Sequence, residues 1–236
     1  MHPAIFIDTP RLRFAYRTWG PAEGAPLLLL HGASGSGAAW EEVVEALSPR
    51  WRVYAPDARG HGASAWPGEY SFEAMRDDVA AFMDALGIAS AVVAGHSMGG
   101  IAAHLFAAAR PERVAGLLLI ETPPPVPLGI APPVRPEGEL DYDWALRPQV
   151  IGQLNDPSSD RREGSAAITA PTLVVAGGES SHLPQDQIAA MAGRIPGARL
   201  TEIPVGHLVV GKAPAELAAL IDGFAPARPP ARETRP

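Results

Sequence analysis

A serine between glycines carries the strongest chemical signal in this 236-residue sequence. The segment GHSMGG at 95–100 follows the apolar run AVVA and precedes the alanine-rich run at 101–109. This order of strand, tight turn and helix is typical of a nucleophile elbow, which exposes a serine hydroxyl above a sheet. Glycines on both sides of the turn let the strand and the helix pack closely around it. The segment therefore predicts Ser97 as a nucleophile.

A histidine late in the chain is the predicted base. His207 follows Gly206, after a short strand-like segment at 199–203 and before the last helical pattern. A neutral imidazole can accept a serine proton and later return it to a leaving group. We interpret the other histidines, including His31 in the loop after the first apolar run, as structural.

Two glutamates compete for the role of the acid that orients His207. Glu121 directly follows the apolar run GLLLI at 116–120, whereas Glu179 lies in the turn GGESS at 177–181. A carboxylate at the end of a strand can accept the second N–H of the histidine and fix its tautomer. We favour Glu121 because a sheet fixes its backbone, and Glu179 in its glycine-rich turn stays the alternative.

A second tight loop, HGASG at 31–35, follows the apolar run LLLL at 27–30. Open α/β sheets bind their ligands at the carboxyl ends of the strands. Free backbone N–H groups at this edge can stabilise a developing oxyanion, and we assign these donors to Ala33 and Met98. We expect the Ser34 hydroxyl to contribute to substrate binding.

The elements that must position these residues alternate between strand and helix. Apolar runs at 27–30, 51–55, 91–95, 116–120 and 172–177 are separated by helical patterns at 38–47, 71–86, 97–109, 184–194 and 213–224. Runs that are apolar throughout indicate strands covered on both faces. The pattern predicts an α/β fold with a mostly parallel, doubly wound sheet and helices on both faces. The alternating segment at 11–20 predicts an antiparallel edge.

The stretch at 122–170 interrupts this rhythm. It is rich in proline, and its one helical pattern lies near 142–154. We interpret it as a short lid insertion in a single domain at 1–224, with Tyr142 and Trp144 lining a substrate pocket. The Pro/Arg-rich segment at 225–236 is predicted to be a disordered tail.

Taken together, HGASGSG at 31–37, DARGHG at 57–62, GHSMGG and the late Gly-His resemble the α/β-hydrolase fold superfamily over roughly residues 5–224. The resemblance implies a chain order of nucleophile, acid and histidine. Serine at position 97 argues against relatives with an aspartate nucleophile, such as haloalkane dehalogenases and soluble epoxide hydrolases.

The acid departs from the common pattern of that superfamily. Many members carry an aspartate after the later strand, where this chain has Ser180. Haloalkane dehalogenases and some fungal lactonases instead carry a glutamate after the preceding strand, and Glu121 resembles theirs. Asp57 and Arg59, in the DARGHG segment, are expected to have structural roles.

The composition of the chain argues against nucleic acid, a membrane or a metal ion as a partner. The formal charge of −7 arises from 26 acidic and 19 basic residues, without the basic stripe that nucleic-acid binding requires. The sequence has no cysteine, no apolar stretch near the roughly 20 residues of a membrane span, and no histidine pair with metal-ligand spacing. The first residues lack the apolar core of a secretory signal. We expect a cytoplasmic protein with no membrane, metal or cofactor requirement.

These residues together predict a serine hydrolase that cleaves a small-molecule carboxylic ester, lactone or thioester through an acyl-enzyme. Two alternatives stay open. The same fold can support hydrolysis of a carbon–carbon bond or perhydrolysis, and a receptor can keep the pocket with negligible turnover.

Overall fold

The computed structural model describes residues 2–224, and within them eight strands form one sheet. The strands in chain order are β1 (Ile5–Asp8), β2 (Arg13–Trp19), β3 (Ala25–Leu30), β4 (Trp51–Pro56), β5 (Ala91–His96), β6 (Val114–Ile120), β7 (Thr172–Ala176) and β8 (Arg199–Glu202). The tail predicted at 225–236 lies outside the described residues.

The sheet has the strand order β1-β2-β4-β3-β5-β6-β7-β8. Strands β3 to β8 are parallel, whereas β1 and β2 pair antiparallel at one end, with β1 as the outer edge. This confirms the predicted mostly parallel, doubly wound sheet. The direction of winding reverses between β3 and β5, and ligand crevices form at such switch points.

Helices cover both faces of the sheet. They are α1 (Glu41–Ala46), α2 (Phe72–Ala85), α3 (Met98–Ala109), α4 (Leu146–Asn155), α5 (Ser159–Glu163), α6 (Gln185–Arg194), α7 (Val209–Lys212) and α8 (Pro214–Gly223). The longer helices agree with the predicted patterns, while α5 and α7 are too short for a periodic pattern to reveal them. Among residues 2–224, no helix has both the length and the apolar character to cross a bilayer.

The apolar strands are buried on both sides because neighbouring side chains point to opposite faces. In β3, Leu28 and Leu30 pack with the core beneath α2, α3 and α6, and Leu27 and Leu29 pack with the core beneath α1 and α8. The run LLLL thus contributes to two cores at once. Both cores hold the carboxyl ends of β3, β5 and β6 in fixed positions at one edge.

The connection between β6 and β7, which we call the β6–β7 connection (residues 121–171), contains α4 and α5. Gln149 and Gln153 fix α4 against the loop before α2. The Gln149 amide binds the backbone of Gly68 and Tyr70, and the Gln153 amide binds the backbone of Tyr70 and Phe72. The helix predicted near 142–154 is therefore present and anchored, and the role of the connection as a lid stays a prediction.

The side chains of Asp57 and Arg59 form buried structural contacts, though not with each other. Asp57 accepts hydrogen bonds from the Gly37 amide at 2.8 Å and from Arg17 at 3.1 Å. Arg59 donates two hydrogen bonds to Asp78, a bidentate pair that ties the loop after β4 to α2.

Gly99 should tolerate no side chain, because a Cβ atom there would lie 2.4 Å from the carbonyl oxygen of Leu30 and 2.6 Å from that of His31. Backbone oxygens of a buried strand end cannot yield, so we expect Gly99→Ala to lower the free energy of unfolding by about 1–3 kcal/mol, as overpacking does. Urea denaturation measures the change.

The matched control is Gly193→Ala, since Gly193 is an exposed residue of α6 with open space around its Cα. This variant should be neutral or more stable by about 0.5–1 kcal/mol. Equal effects of the two substitutions would contradict the close packing at Gly99.

Candidate active site

Ser97 lies at the turn between β5 and α3, at the switch point of the sheet. Its backbone has φ of 52° and ψ of −117°, a conformation that non-glycine residues rarely adopt. A Cβ atom on Gly95 would lie 2.3 Å from the carbonyl oxygen of Gly99, so this turn requires glycine at that position. The sharp turn expected of a nucleophile elbow is present.

His207 lies within hydrogen-bond distance of the Ser97 hydroxyl. The Ser97 Oγ and His207 Nε2 atoms are 3.0 Å apart, and His207 Nδ1 is 3.1 Å from Glu121 Oε2. A carboxylate can only accept, so Nδ1 donates to Glu121 and leaves the lone pair of Nε2 free for the serine proton. The chain of three groups matches the order nucleophile, base and acid.

The carboxylate of Glu121 is fully buried and has a donor on every side. Oε1 accepts from the Gly177 amide at 2.5 Å and from Gln185 Nε2 at 3.2 Å, while Oε2 accepts from the Ser181 hydroxyl as well as from His207. Burial acts to raise the pKa of Glu121, but these hydrogen bonds outweigh it and hold the pKa below its ordinary value. Glu121 is therefore ionised at neutral pH.

Glu179 occupies a different environment. Its side chain is exposed, and among residues 2–224 it has no hydrogen-bond or ion-pair partner. The structure brings Glu121 to His207 and leaves Glu179 on the surface.

The loop after β3 presents its backbone to the same site. Ala33 and Met98 both line the cleft at Ser97, and neither backbone N–H has a protein acceptor within the described chain. Two free N–H groups beside a nucleophile are the arrangement that stabilises an oxyanion. Ser34, with φ of 66°, lies next to Ala33 and also lines the cleft.

Two buried histidines hold this loop in place. His31 donates from Nδ1 to the Gly32 carbonyl at 2.8 Å and accepts the Ala58 amide at Nε2, 2.9 Å away. His61 donates from Nδ1 to the Arg59 carbonyl and accepts the Ser34 amide at Nε2, 3.2 Å away. Burial lowers the pKa of His31 to about 4 and that of His61 to about 3, so both are neutral.

A comparison with known families decides the assignment of the chain. The model of the alpha/beta hydrolase fold family matches residues 25–147. These include Ser97, Glu121 and the loop at 31–35 that is predicted to bind the oxyanion, which we call the oxyanion loop. The chain belongs to the alpha/beta hydrolase fold family. This confirms the resemblance that the sequence motifs indicated.

Individual relatives of this alpha/beta hydrolase differ in activity. It is 39% identical over 103 residues to lipase LipV of Mycobacterium tuberculosis, covering 44% of this chain and 39% of the lipase. It is 40% identical over 114 residues to a non-heme chloroperoxidase of Streptomyces lividans, covering 47% of this chain and 41% of that protein. The solved structure of Est816, an N-acyl homoserine lactone degrading enzyme, is similar with a TM-score of 0.75 and 27% identity, covering 94% of this chain and 100% of Est816.

A cleft of about 420 Å³ opens above Ser97 in this alpha/beta hydrolase. Tyr142 and Trp144, which we expected to line the pocket, are not among its lining residues. Tyr142 instead stacks on His61, with ring centroids 6.0 Å apart, because residues 141–143 pair with the backbone of 60–62. Trp144 lies in the turn between this pairing and α4. The structure does not place these two aromatic residues in this cleft, and their contribution to substrate binding stays a prediction.

The residues that do reach the cleft from α4 were not identified from the sequence. They are Arg147, Val150, Ile151 and Leu154. Val150, Ile151 and Leu154 follow Arg147 by three, four and seven residues, which is the spacing of one helix face. This spacing could have identified them in the sequence as a group. His182, which we interpreted with the other histidines as structural, also lines the cleft, and its ring packs against that of His207, with centroids 4.4 Å apart.

Replacing Glu121 by glutamine should lower kcat by up to about 10⁴-fold, because an amide can hold the wrong tautomer of His207 while preserving shape. Hydrolysis of a p-nitrophenyl ester measures the effect. Glu179→Gln is the matched control and should cost at most a few-fold, since Glu179 is exposed and, among residues 2–224, has no hydrogen bond to the imidazole. A crippled Glu179 variant beside an active Glu121 variant would contradict this assignment.

The buried histidines should make stability depend on pH. Burial lowers the pKa values of His31, His96 and His104 to about 4, whereas the unfolded chain binds these protons near pH 6.5. Between these values the unfolded state holds more protons, so the free energy of unfolding falls as pH falls, by up to about 1.4 kcal/mol per pH unit for each histidine.

Urea denaturation at pH 7, 6 and 5 measures this slope. These pH values lie above the ordinary pKa of carboxylates, so the histidines dominate the change. His104→Gln should flatten it, because His104 bonds Ser165 rather than the site and glutamine carries no titratable group. A slope that is absent, or that His104→Gln leaves unchanged, would contradict the neutral state of these buried rings.

Proposed function

We propose that this alpha/beta hydrolase cleaves a carboxylic ester, lactone or thioester of a small molecule through an acyl-enzyme on Ser97. The observation that carries the proposal is the hydrogen-bond chain from Ser97 through His207 to the buried Glu121, at the floor of an open cleft. The lipase and the lactone-degrading Est816 are relatives whose activities agree with this substrate class.

Acylation begins when the Ser97 oxygen attacks the substrate carbonyl and its proton passes to His207 Nε2. The ionised carboxylate of Glu121 stabilises the imidazolium that forms. The free backbone amides of Ala33 and Met98 donate hydrogen bonds that stabilise the negative charge on the carbonyl oxygen. The tetrahedral intermediate then collapses, and His207 gives its proton to the departing alcohol or thiol.

Deacylation repeats the same steps with water. His207 accepts a proton from the water as its oxygen attacks the acyl carbon, and then returns this proton to Ser97 as the acid is released. Each cycle consumes one water and leaves the enzyme unchanged.

The similarity to the non-heme chloroperoxidase supports a second candidate, perhydrolysis. In this reaction hydrogen peroxide replaces water in the second step, so that the acyl group leaves Ser97 as a peracid. Supplying peroxide together with an ester distinguishes the two, because only perhydrolysis yields peracid that oxidises a halide.

Ser97→Ala should abolish nearly all hydrolysis of p-nitrophenyl esters while the fold is retained, since only one oxygen is lost from the elbow. The residual rate should be about 10³-fold above that in water, from oxyanion stabilisation and binding. Covalent labelling by a fluorophosphonate should also stop.

The matched control is Ser159→Ala, an exposed serine at the start of α5. This variant should retain full activity and labelling. If Ser97→Ala kept a tenth of the original activity, Ser97 would not be the nucleophile and the proposed function would be wrong.

A further inference from the structure

The cleft above Ser97 has largely apolar walls and contains one permanently charged side chain. Among the described residues that line it, Arg147 is the one arginine, lysine, aspartate or glutamate side chain. It shares its helix face with Val150, Ile151 and Leu154. In a chain with a formal charge of −7, a lone cation at the catalytic cleft is a distinctive feature.

The guanidinium of Arg147 has no partner within the described chain. No hydrogen bond from its side chain and no carboxylate within ion-pair distance is present among residues 2–224. The nearby Asp143 is engaged elsewhere, accepting from the Tyr70 hydroxyl at 2.6 Å and from the Ala145 amide at 3.0 Å. The donors of Arg147 are therefore available to a ligand.

Helix α4 holds this cation on a rigid base. The amide side chains of Gln149 and Gln153 bind the backbone of the loop before α2, on the side of the helix away from the cleft. The backbone that carries Arg147 is thus fixed before the substrate arrives, so that binding orders only the arginine side chain.

The two ends of α4 lie at different ends of the cleft. Its beginning follows residues 141–143, which pair with 60–62, and His61 in turn binds the Ser34 amide of the oxyanion loop. Its far end contacts Leu128, whose amide donates to the Leu154 carbonyl at 3.2 Å, and Leu128 lines a continuation of the cleft beside His182. Arg147, in the first turn, is therefore at the oxyanion-loop end.

The chemistry of the reaction assigns each end to one part of the substrate. His207 must deliver its proton to the leaving atom, so the leaving group lies on the side of His207 and His182. The carbonyl oxygen faces the amides of Ala33 and Met98, and we place the acyl chain, the remaining substituent, along α4 toward Arg147.

We infer that the acyl part of the substrate carries a carboxylate at its far end, which Arg147 binds, so that the substrate is a monoester or monothioester of a dicarboxylic acid. This inference rests on the proposed function. Arg147 binds carboxylates in a planar, two-donor geometry that suits this group. Val150 and Ile151, which follow Arg147 within one turn on the same face of α4, then contact the methylene chain between the two carbonyl carbons.

The test compares esters that differ only at the end of the acyl chain. Monophenyl suberate is matched with phenyl octanoate, and monophenyl adipate with phenyl hexanoate, so that a carboxylate replaces a methyl group in each pair. We expect kcat/KM to favour the carboxylate member of at least one pair by about tenfold or more, the scale of a hydrogen-bonded charge pair.

Arg147→Met should reduce this ratio by about tenfold or more, and Arg147→Lys should retain part of it because the charge is kept. Arg135→Met, which removes an exposed arginine from the same β6–β7 connection, is the matched control and should leave the ratio unchanged. A ratio near one in the unaltered protein, or a ratio that Arg147→Met does not change, would overturn the inference.

A binding measurement separates this inference from the proposed function. Calorimetry on the Ser97→Ala variant should show that monophenyl suberate binds more tightly than phenyl octanoate, and adding Arg147→Met should abolish the difference. Preferential binding without turnover by the unaltered protein would support the Arg147 site and refute the hydrolase. Turnover of both esters without preference would refute the Arg147 site alone.

Discussion

A carboxylate with no exposure to solvent must be surrounded by donors, and Glu121 obtains its donors from two connections, the one between β7 and α6 and the one after β8. Gly177 contributes a backbone amide, Ser181 and Gln185 contribute side chains, and His207 contributes an imidazole N–H. An unpaired buried charge would cost several kcal/mol. This cost holds the segments that carry the donors against Glu121, at the end of β6. The position of His207 at Ser97 follows from this requirement.

Backbone strain is concentrated at the same place. Among residues 2–224, the non-glycine residues with positive φ are Ser34, Ser97 and Glu121. Each follows a strand that both cores hold tightly, so the sheet can enforce conformations that cost about 1–3 kcal/mol apiece. The strain directs one hydroxyl, one carboxylate and one loop toward a common point above β3, β5 and β6.

Local sequence signals predicted the fold and the hydrogen-bonded residues Ser97, His207 and Glu121. The residues that line the cleft depend on contacts between distant parts of the chain, which local signals do not reveal. The glycines around Ser97 and the strand end before Glu121 are features of a few consecutive residues. Tyr142 was expected at the pocket but lies against His61, because its direction depends on pairing with a residue that is distant in sequence. The cleft-facing residues of α4 had a helical spacing, yet nothing local indicates which face of a helix meets a cleft.

The hydrogen bonds of the neighbouring histidines determine where positive charge can form during the proposed reaction. His31 and His61 each accept a backbone amide at Nε2, so a second proton would break that bond, and burial opposes it further. His96 donates to the His207 carbonyl and is buried, with its pKa lowered to about 4. His207 differs from all of them, because its Nε2 faces a hydroxyl that can lose a proton and its Nδ1 faces a carboxylate that stabilises the resulting cation. In the proposed mechanism, keeping the surrounding rings neutral thus confines the proton of Ser97 to the one imidazole that can return it to a leaving group.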